Sequence, residues 1–359
     1  MPTDVVRVLG IAVARGASDI HLSANRAPIL RINGELVDLA DWPALDSESC
    51  KEMVYSLLGD QQRARLETDL ELDCSVSVAG LGRFRANVLL QRGNVECALR
   101  AVPSRIPTPE ALGLGPAAMG LAALPRGLVL VTGPTGSGKS TTLACMIDHI
   151  NATSRRHILT IEDPIEFVYP RNMALIRQRE VGSDTKSFGE ALRRALREDP
   201  DVILLGEMRD RETIALALTA AETGHLCFST LHTLGAADTL DRIIDVFPSA
   251  QQDQIRIQLS GVLKGVISQI LLPRREGAGR IAARELMLVN SAVANQIREG
   301  KTHLLPNTIA TSGALGMFTL DRSLAALVAR GAVGLEDALA RARDPEALAA
   351  ACQKQGVLS

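Results

Sequence analysis

Residues 133–140 read Gly-Pro-Thr-Gly-Ser-Gly-Lys-Ser, a complete G-x-x-x-x-G-K-[ST] loop, and no other stretch limits the fold so sharply. It follows Leu128-Val129-Leu130-Val131, an apolar and β-branched run that reads as a buried strand. It precedes Thr141 to Ile150, where Leu143, Met146, Ile147 and Ile150 recur at helical spacing. Strand, glycine loop and helix in that order predict a largely parallel α/β sheet with a phosphate site at a helix N-terminus. Gly133, Thr135, Gly136, Ser137, Gly138 and Thr141 would frame the cradle with their backbone N–H groups. Lys139 would reach the terminal phosphates and Ser140 would ligate Mg²⁺, so the expected ligand is a nucleoside triphosphate with its metal.

Strand-like runs recur at 158–161, 202–205 and 226–230, separated by helical segments such as 188–198 and 211–223. Beyond about residue 250 the pattern reads as nearly all helical. The first hundred residues are organised differently. An apolar stripe of Val5, Val6, Leu9, Ala12 and Val13 predicts a helix ending near Gly16, and a second helix is expected over Glu48 to Leu58. Ile29 to Ile32 and Glu35 to Val37 flank Asn33-Gly34, a two-residue hairpin signal. A strand over 72–78 leads to one in which Phe84, Ala86, Val88 and Leu90 alternate with Arg83, Arg85 and Asn87. Val95 to Val102 then presents Arg100. These features predict a small α+β domain at 1–102 with arginines on one sheet face, which in most sheets is simply a solvated surface. Pro103, Pro107 and Pro109 mark a linker at 103–109, leaving 110–359 as the second domain.

At 359 residues the chain has room for two cores. No apolar stretch approaches the roughly 18 residues of a spanning helix, and the N-terminus lacks a basic segment followed by an apolar one, so a cytoplasmic location is expected. A formal net charge of −2 and an aromatic content of 3% weigh against a nucleic-acid binder. Cys50, Cys74, Cys97, Cys145, Cys227 and Cys352 are scattered without a C-x-x-C pair and read as small apolar residues rather than metal ligands.

In such a sheet the carboxyl ends of strands hold the ligand, and each later strand is followed by suitable residues. Glu162-Asp163-Pro164-Ile165-Glu166 puts three carboxylates in a proline-held loop. Gly206-Glu207-Met208-Arg209-Asp210 has glycine where a Walker B strand would end in aspartate. Glu207 would then hold Mg²⁺ through water or polarise the attacking water. His225 and His232 bracket the run at 226–230 and are candidates for sensing a γ-phosphate. A transition-state arginine is missing from this inventory. Supplied by a neighbouring subunit, such a group is typically worth about 10³–10⁵ in rate, and Arg85 and Arg100 are the candidates.

The stretches Gly133 to Thr142, Ile161 to Phe167, Gly206 to Asp210 and Thr223-Gly224-His225 through Leu231-His232-Thr233 resemble, in order, the Walker A, Asp box, Walker B and His box of the secretion ATPase superfamily of type II secretion and type IV pilus machines. Ala17-Ser18-Asp19-Ile20-His21-Leu22, Arg179-Glu180-Val181-Gly182 and Ala195 to Pro200 are similar to its pilus retraction (PilT-type, twitching motility) branch. The resemblance implies a PAS-like N-terminal domain, a RecA-like ATPase domain with a helical C-terminal part, ATP and Mg²⁺ as ligands, and a homo-hexameric ring. It implies Glu166 as general base, Glu207 as the Walker B glutamate and His225 with His232 as the His-box pair. Arg83, Arg85 and Arg100 match the region facing the neighbour's nucleotide. The implied partners are an inner-membrane pilus platform protein and a companion pilus ATPase, which would hold the ring at the cytoplasmic face of the membrane. The absent four-cysteine zinc motif separates the chain from the extension and export branch. Ala292 to Glu299 departs from the branch's A-I-R-N-L-I-R-E segment at the first arginine and the leucine positions, where Ala294 and Gln296 stand, while Asn295 and Ile297-Arg298-Glu299 remain. An accessory nucleotide-binding subunit with little hydrolysis of its own, and a DNA translocase on a RecA-like core, are the competing readings.

Overall fold

In the strand Gly82–Gln91 the sequence alternation becomes burial: Phe84, Ala86 and Val88 are buried while Arg83 and Arg85 are half-buried. Leu90, expected in the same apolar set, is exposed near the strand's end. The computed structural model describes residues 2–354 apart from 33, 104, 277 and 278. The chain divides into two compact units, Met1–Arg105 with Glu166–Val168, and Ile106–Ile165 with Tyr169–Ser359.

The first unit runs α1 (Pro2–Ala14), β1 (Asp19–Leu22), β2 (Ile29–Ile32), β3 (Glu35–Asp38), α2 (Ser47–Leu57), α3 (Asp60–Asp69), β4 (Glu71–Val78), β5 (Gly82–Gln91) and β6 (Asn94–Ala101). Its sheet has the order β3-β2-β1-β6-β5-β4, with every neighbouring pair antiparallel. Val5, Val8 and Leu9 of α1 and Met53 and Val54 of α2 close a core over Ile20, Leu22, Phe84 and Leu99. Asp46 caps α2 by accepting from the Ser49 N–H at 2.8 Å. Ile32 pairs with Glu35 across the expected hairpin, although Asn33 of its turn lies outside the described residues.

The second unit begins with two short helices, α4 (Pro109–Leu112) and α5 (Pro116–Gly120). It then alternates through β7 (Gly127–Thr132), α6 (Lys139–Thr153), β8 (His157–Glu162), β9 (Leu175–Glu180), α7 (Phe188–Ala195), β10 (Val202–Leu205), α8 (Arg211–Glu222) and β11 (Leu226–Leu231). Next come α9 (Ala236–Asp245), α10 (Ser249–Val262), β12 (Leu263–Pro273) and β13 (Arg280–Leu288). It closes with α11 (Ser291–Arg298), α12 (Leu305–Thr311), α13 (Leu320–Ala329), α14 (Leu335–Leu339) and α15 (Pro345–Lys354). The sheet order is β13-β12-β7-β11-β10-β8-β9, parallel throughout except for the antiparallel edge strand β13. The all-helical expectation beyond residue 250 is therefore corrected. Two of the longest strands lie there, and β12 starts at the residue after α10 ends.

Both faces of this sheet are covered, which is why its strands read as unbroken apolar runs. Leu128, Leu130, Leu159, Ile161, Ile203 and Leu205 pack under α7 to α12, whereas Val129, Val131, Ile158, Val202, Leu204 and Phe228 pack under α5 and α6. Ile270, Leu272 and Ala283 meet α13 and α15 in a further cluster. All six cysteines are unbridged and five are buried. Burial pushes the Cys227 thiol up to about 12 and Cys50 to about 11, as inert core residues require. No described helix is long and apolar enough to cross a membrane.

Candidate active site

The strands β7, β11, β10 and β8 are successive neighbours and end together: Thr132 lies opposite Leu231, Ser229 opposite Leu205, and Leu205 opposite Ile161. The segments that follow them meet at one edge of the sheet. Because β7 and β8 are consecutive in sequence yet separated by β11 and β10, that edge contains the crevice where open α/β sheets bind ligands.

Gly133 opens the loop at φ +141°, and a Cβ there would sit 2.1 Å from the Gln269 carbonyl oxygen. Gly138 precedes α6 at φ +86° with no side-chain cap, so the helix's first N–H groups are left for a ligand. Lys139 is buried and its Nζ donates to the Gly133 and Pro134 carbonyls at 2.7 and 3.1 Å. Burial pulls this ammonium below its ordinary pKa, and the Glu207 carboxylate opposes the shift. The Ser137 hydroxyl is buried and has no hydrogen-bond partner among the described residues. A buried cation, an orphaned hydroxyl and uncapped N–H groups in one loop fit a polyphosphate. Ser140, exposed on the first turn of α6, offers the hard oxygen that Mg²⁺ prefers. Thr135 is exposed and Thr141 half-buried on either side of the loop.

Glu207 stands just past β10, held by its flanks: Thr230 Oγ1 donates to the Gly206 carbonyl at 2.6 Å and the Met208 N–H to the Thr230 carbonyl at 3.2 Å. Its carboxylate takes Arg209 Nε on one oxygen at 2.8 Å and His232 Nε2 on the other at 3.1 Å. His232 Nδ1 lies 3.5 Å from the Thr135 hydroxyl. With Nε2 donating to the carboxylate, a neutral ring accepts from Thr135 at Nδ1, so the imidazole links Glu207 to the phosphate loop. Asp210 has a different task and caps α8 by accepting from the Thr213 N–H at 2.8 Å.

Glu162, the last residue of β8, is buried and accepts from Thr160 Oγ1 at 2.7 Å and Gln178 Nε2 at 3.3 Å, while Asp163 beside it is exposed. The loop after them is held by Glu180, whose Oε2 accepts from the Ile165 N–H at 2.9 Å. Glu166 belongs to the first unit, where its Oε1 accepts from Arg85 Nη1 at 3.0 Å. Arg100 likewise pairs inside that unit, Nε donating to Asp19 Oδ1 at 2.7 Å. Arg83 shares the Arg85 face of β5.

His225 is not brought to the phosphate loop of its own chain. It precedes β11, at the amino end of a six-residue strand, so about 20 Å of strand separates it from His232. Its Nδ1 lies 2.9 Å from the Ala220 carbonyl at the end of α8. The two histidines bracket the strand in sequence and stand at its opposite ends in space.

Sequence reading missed Arg209 as the second partner of Glu207, although its position two residues on was a usable hint. It also missed Gln269, which is 99% buried on β12 and donates from Nε2 to the Ser137 carbonyl at 2.7 Å while accepting from Thr142 Oγ1 at 2.9 Å. No local signal marks it, since both of these partners on the loop and α6 lie more than a hundred residues away.

A glycine loop with its buried lysine, facing a glutamate–histidine pair on neighbouring ends of a parallel sheet, defines a P-loop nucleotide-binding protein with a RecA-like core. The profile of the family described as Type II/IV secretion system protein matches residues 3–302, and the chain belongs to that family. The chain is 50% identical over 343 residues to the type IV pilus retraction ATPase PilT of Pseudomonas aeruginosa, covering 96% of this chain and 99% of that one. It is 41% identical to the type IV pilus ATPase PilU of the same organism over 94% of this chain and 88% of that protein. A crystal structure of the pilus retraction motor PilT with bound ADP superposes with a TM-score of 0.90 at 49% identity, covering 96% and 98% of the two chains.

Proposed function

We propose that this protein is an ATP-hydrolysing motor that powers type IV pilus retraction, acting as a homo-hexameric ring on an inner-membrane platform protein at the cytoplasmic face of the membrane. The observation that carries the reading is the Glu207–His232 pair set against the phosphate loop, within a chain half identical to PilT along nearly its whole length. Phosphoryl transfer asks a protein mainly for positioning and charge stabilisation. In this reading Lys139 and the N–H groups from Gly136 to Thr141 hold the phosphates of ATP. Ser140, and Glu207 through water, would hold Mg²⁺, which would supply charge neutralisation at the phosphates. Glu207 orients the attacking water, His232 senses the γ-phosphate, and Glu166 acts as general base once freed from Arg85. Glu162 and Asp163 complete the acidic edge. His225, Arg83, Arg85 and Arg100 act across subunit boundaries, which makes hydrolysis depend on assembly. The domain division at 103–109 is the natural hinge for a motor.

A second reading is favoured by one feature. In α11, Gln296 is turned inward and donates from Nε2 to Thr308 Oγ1 at 2.9 Å, while Ala294 replaces the expected arginine. An accessory ring working beside a companion pilus ATPase would tolerate both. Complementation separates the two. In a Pseudomonas aeruginosa strain lacking its own PilT, a retraction motor restores twitching and its Glu207→Ala variant does not. Failure to restore twitching, with the protein expressed and hydrolysing ATP, would favour the accessory role.

A further inference from the structure

Arg274, Arg284, Arg322 and Arg330 line one cavity of about 700 Å³ in the second unit, with Phe318 and Met317 supplying apolar wall. That is the volume of a small-molecule site. Arg284 is buried, and the other three are exposed. Among the described residues Glu110 is the one carboxylate on the wall, and none of the four guanidinium groups forms an ion pair. Four cations around a partly apolar cavity repel one another, and folding alone gives no reason to gather them. Burial drags Arg284 down to about 10, as befits a cation the fold leaves largely uncompensated.

Arg284 also reaches the support of the phosphate loop. Its Nε donates to Gln269 Oε1 at 3.3 Å and its Nη1 to the Leu112 carbonyl at 2.7 Å. Gln269 in turn holds the Ser137 carbonyl. A single side chain therefore stands between the cavity wall and the loop.

We infer that this cavity is a second anion site, for a phosphate-bearing small molecule whose phosphates sit on the arginines and whose apolar part lies on Phe318 and Met317, coupled to the phosphate loop through Arg284 and Gln269. The coupling rests on the nucleotide reading of that loop; the site itself does not. An anion in the cavity draws Arg284 away from Gln269 and loosens the hold on Ser137. Linkage makes the effect reciprocal, so the factor by which the anion changes nucleotide affinity is the factor by which nucleotide changes anion affinity.

Pyrophosphate is a suitable probe, measured by equilibrium dialysis on the whole chain in saturating ADP so that the phosphate loop is occupied. The wild type should retain a pyrophosphate on each chain. The Arg322→Ala, Arg330→Ala double variant, altered only at exposed side chains, should bind it roughly tenfold more weakly or worse, with its affinity for ADP alone unchanged. Pyrophosphate should also shift the ADP Kd about fivefold or more in the wild type and not in the double variant. No retained pyrophosphate in the wild type, or equal binding in both proteins, overturns the site. Binding without any shift in ADP affinity overturns the coupling. A chain that binds no ADP yet holds pyrophosphate through Arg322 and Arg330 overturns the nucleotide reading and supports the site.

Discussion

Glu207 divides its carboxylate between His232 and Arg209, so removing it releases a histidine beside the phosphate loop and, in the proposed mechanism, empties the water-orienting position. In Glu207→Ala the turnover of ATP should fall by about 10²–10⁴, the range for a positioned acid–base group, while ADP affinity stays near that of the wild type. Steady-state kinetics with a parallel binding titration checks this. Asp19 gives a second prediction, in pH. Burial alone would raise its pKa, but hydrogen bonds from Ser18 and Arg100 and the Arg100 charge hold it below the ordinary value. The folded state then binds fewer protons than the unfolded one. The stabilisation is complete above about pH 4 and disappears as pH falls through the lowered value. Asp19→Asn should be less stable than the wild type at pH 7, with the gap narrowing in urea titrations as pH falls below about 4. A gap independent of pH would contradict the pairing. Removing Arg85 and Arg100 together should slow hydrolysis in assembled protein, and unchanged turnover in the double alanine variant would exclude both as the missing transition-state cation.

At the scale of elements, β12 supports the phosphate loop as much as β7 does. Gln269 has three partners, and Gln269→Ala would strand the Ser137 carbonyl, the Thr142 hydroxyl and Arg284. A cost of about 2–3 kcal/mol follows, lowering Tm by roughly 5–10 °C in a unit this large, with nucleotide binding weakened as well. Differential scanning calorimetry with and without ADP measures both. The sequence pattern hid this strand for a physical reason. Leu263 to Leu272 carries apolar residues on both faces, so it lacks the period of two, and it follows α10 without an intervening loop, Gly261 and Gly265 on either side of the change being its one local mark. The edge strand β9 was hidden differently: Arg177, Gln178, Arg179 and Glu180 look like loop residues, yet edge strands commonly carry charge. The alternation of β5 was legible because there one face is buried and the other wet, and the hairpin at β2–β3 was legible from its Asn33-Gly34 turn signal in the sequence.

For the whole molecule, motifs that were local in sequence told their place well. The phosphate loop, Glu207 and His232 converge because their strands are neighbours and parallel. What sequence could not supply was long-range: Gln269 under the loop, Glu166 on Arg85, and His225 packed against the end of α8 at the amino end of β11. Those last two placements explain why a site shared between chains is the natural reading. A histidine at the amino end of β11 cannot serve its own chain's phosphates, and Glu166 is held by an arginine of the first unit. Steady-state ATP hydrolysis per subunit, followed across protein concentration with mass measured at each point, tests that claim most directly. Activity that rises with the population of hexamers and is absent from monomers is the predicted result; equal activity per subunit in monomers and rings would contradict it.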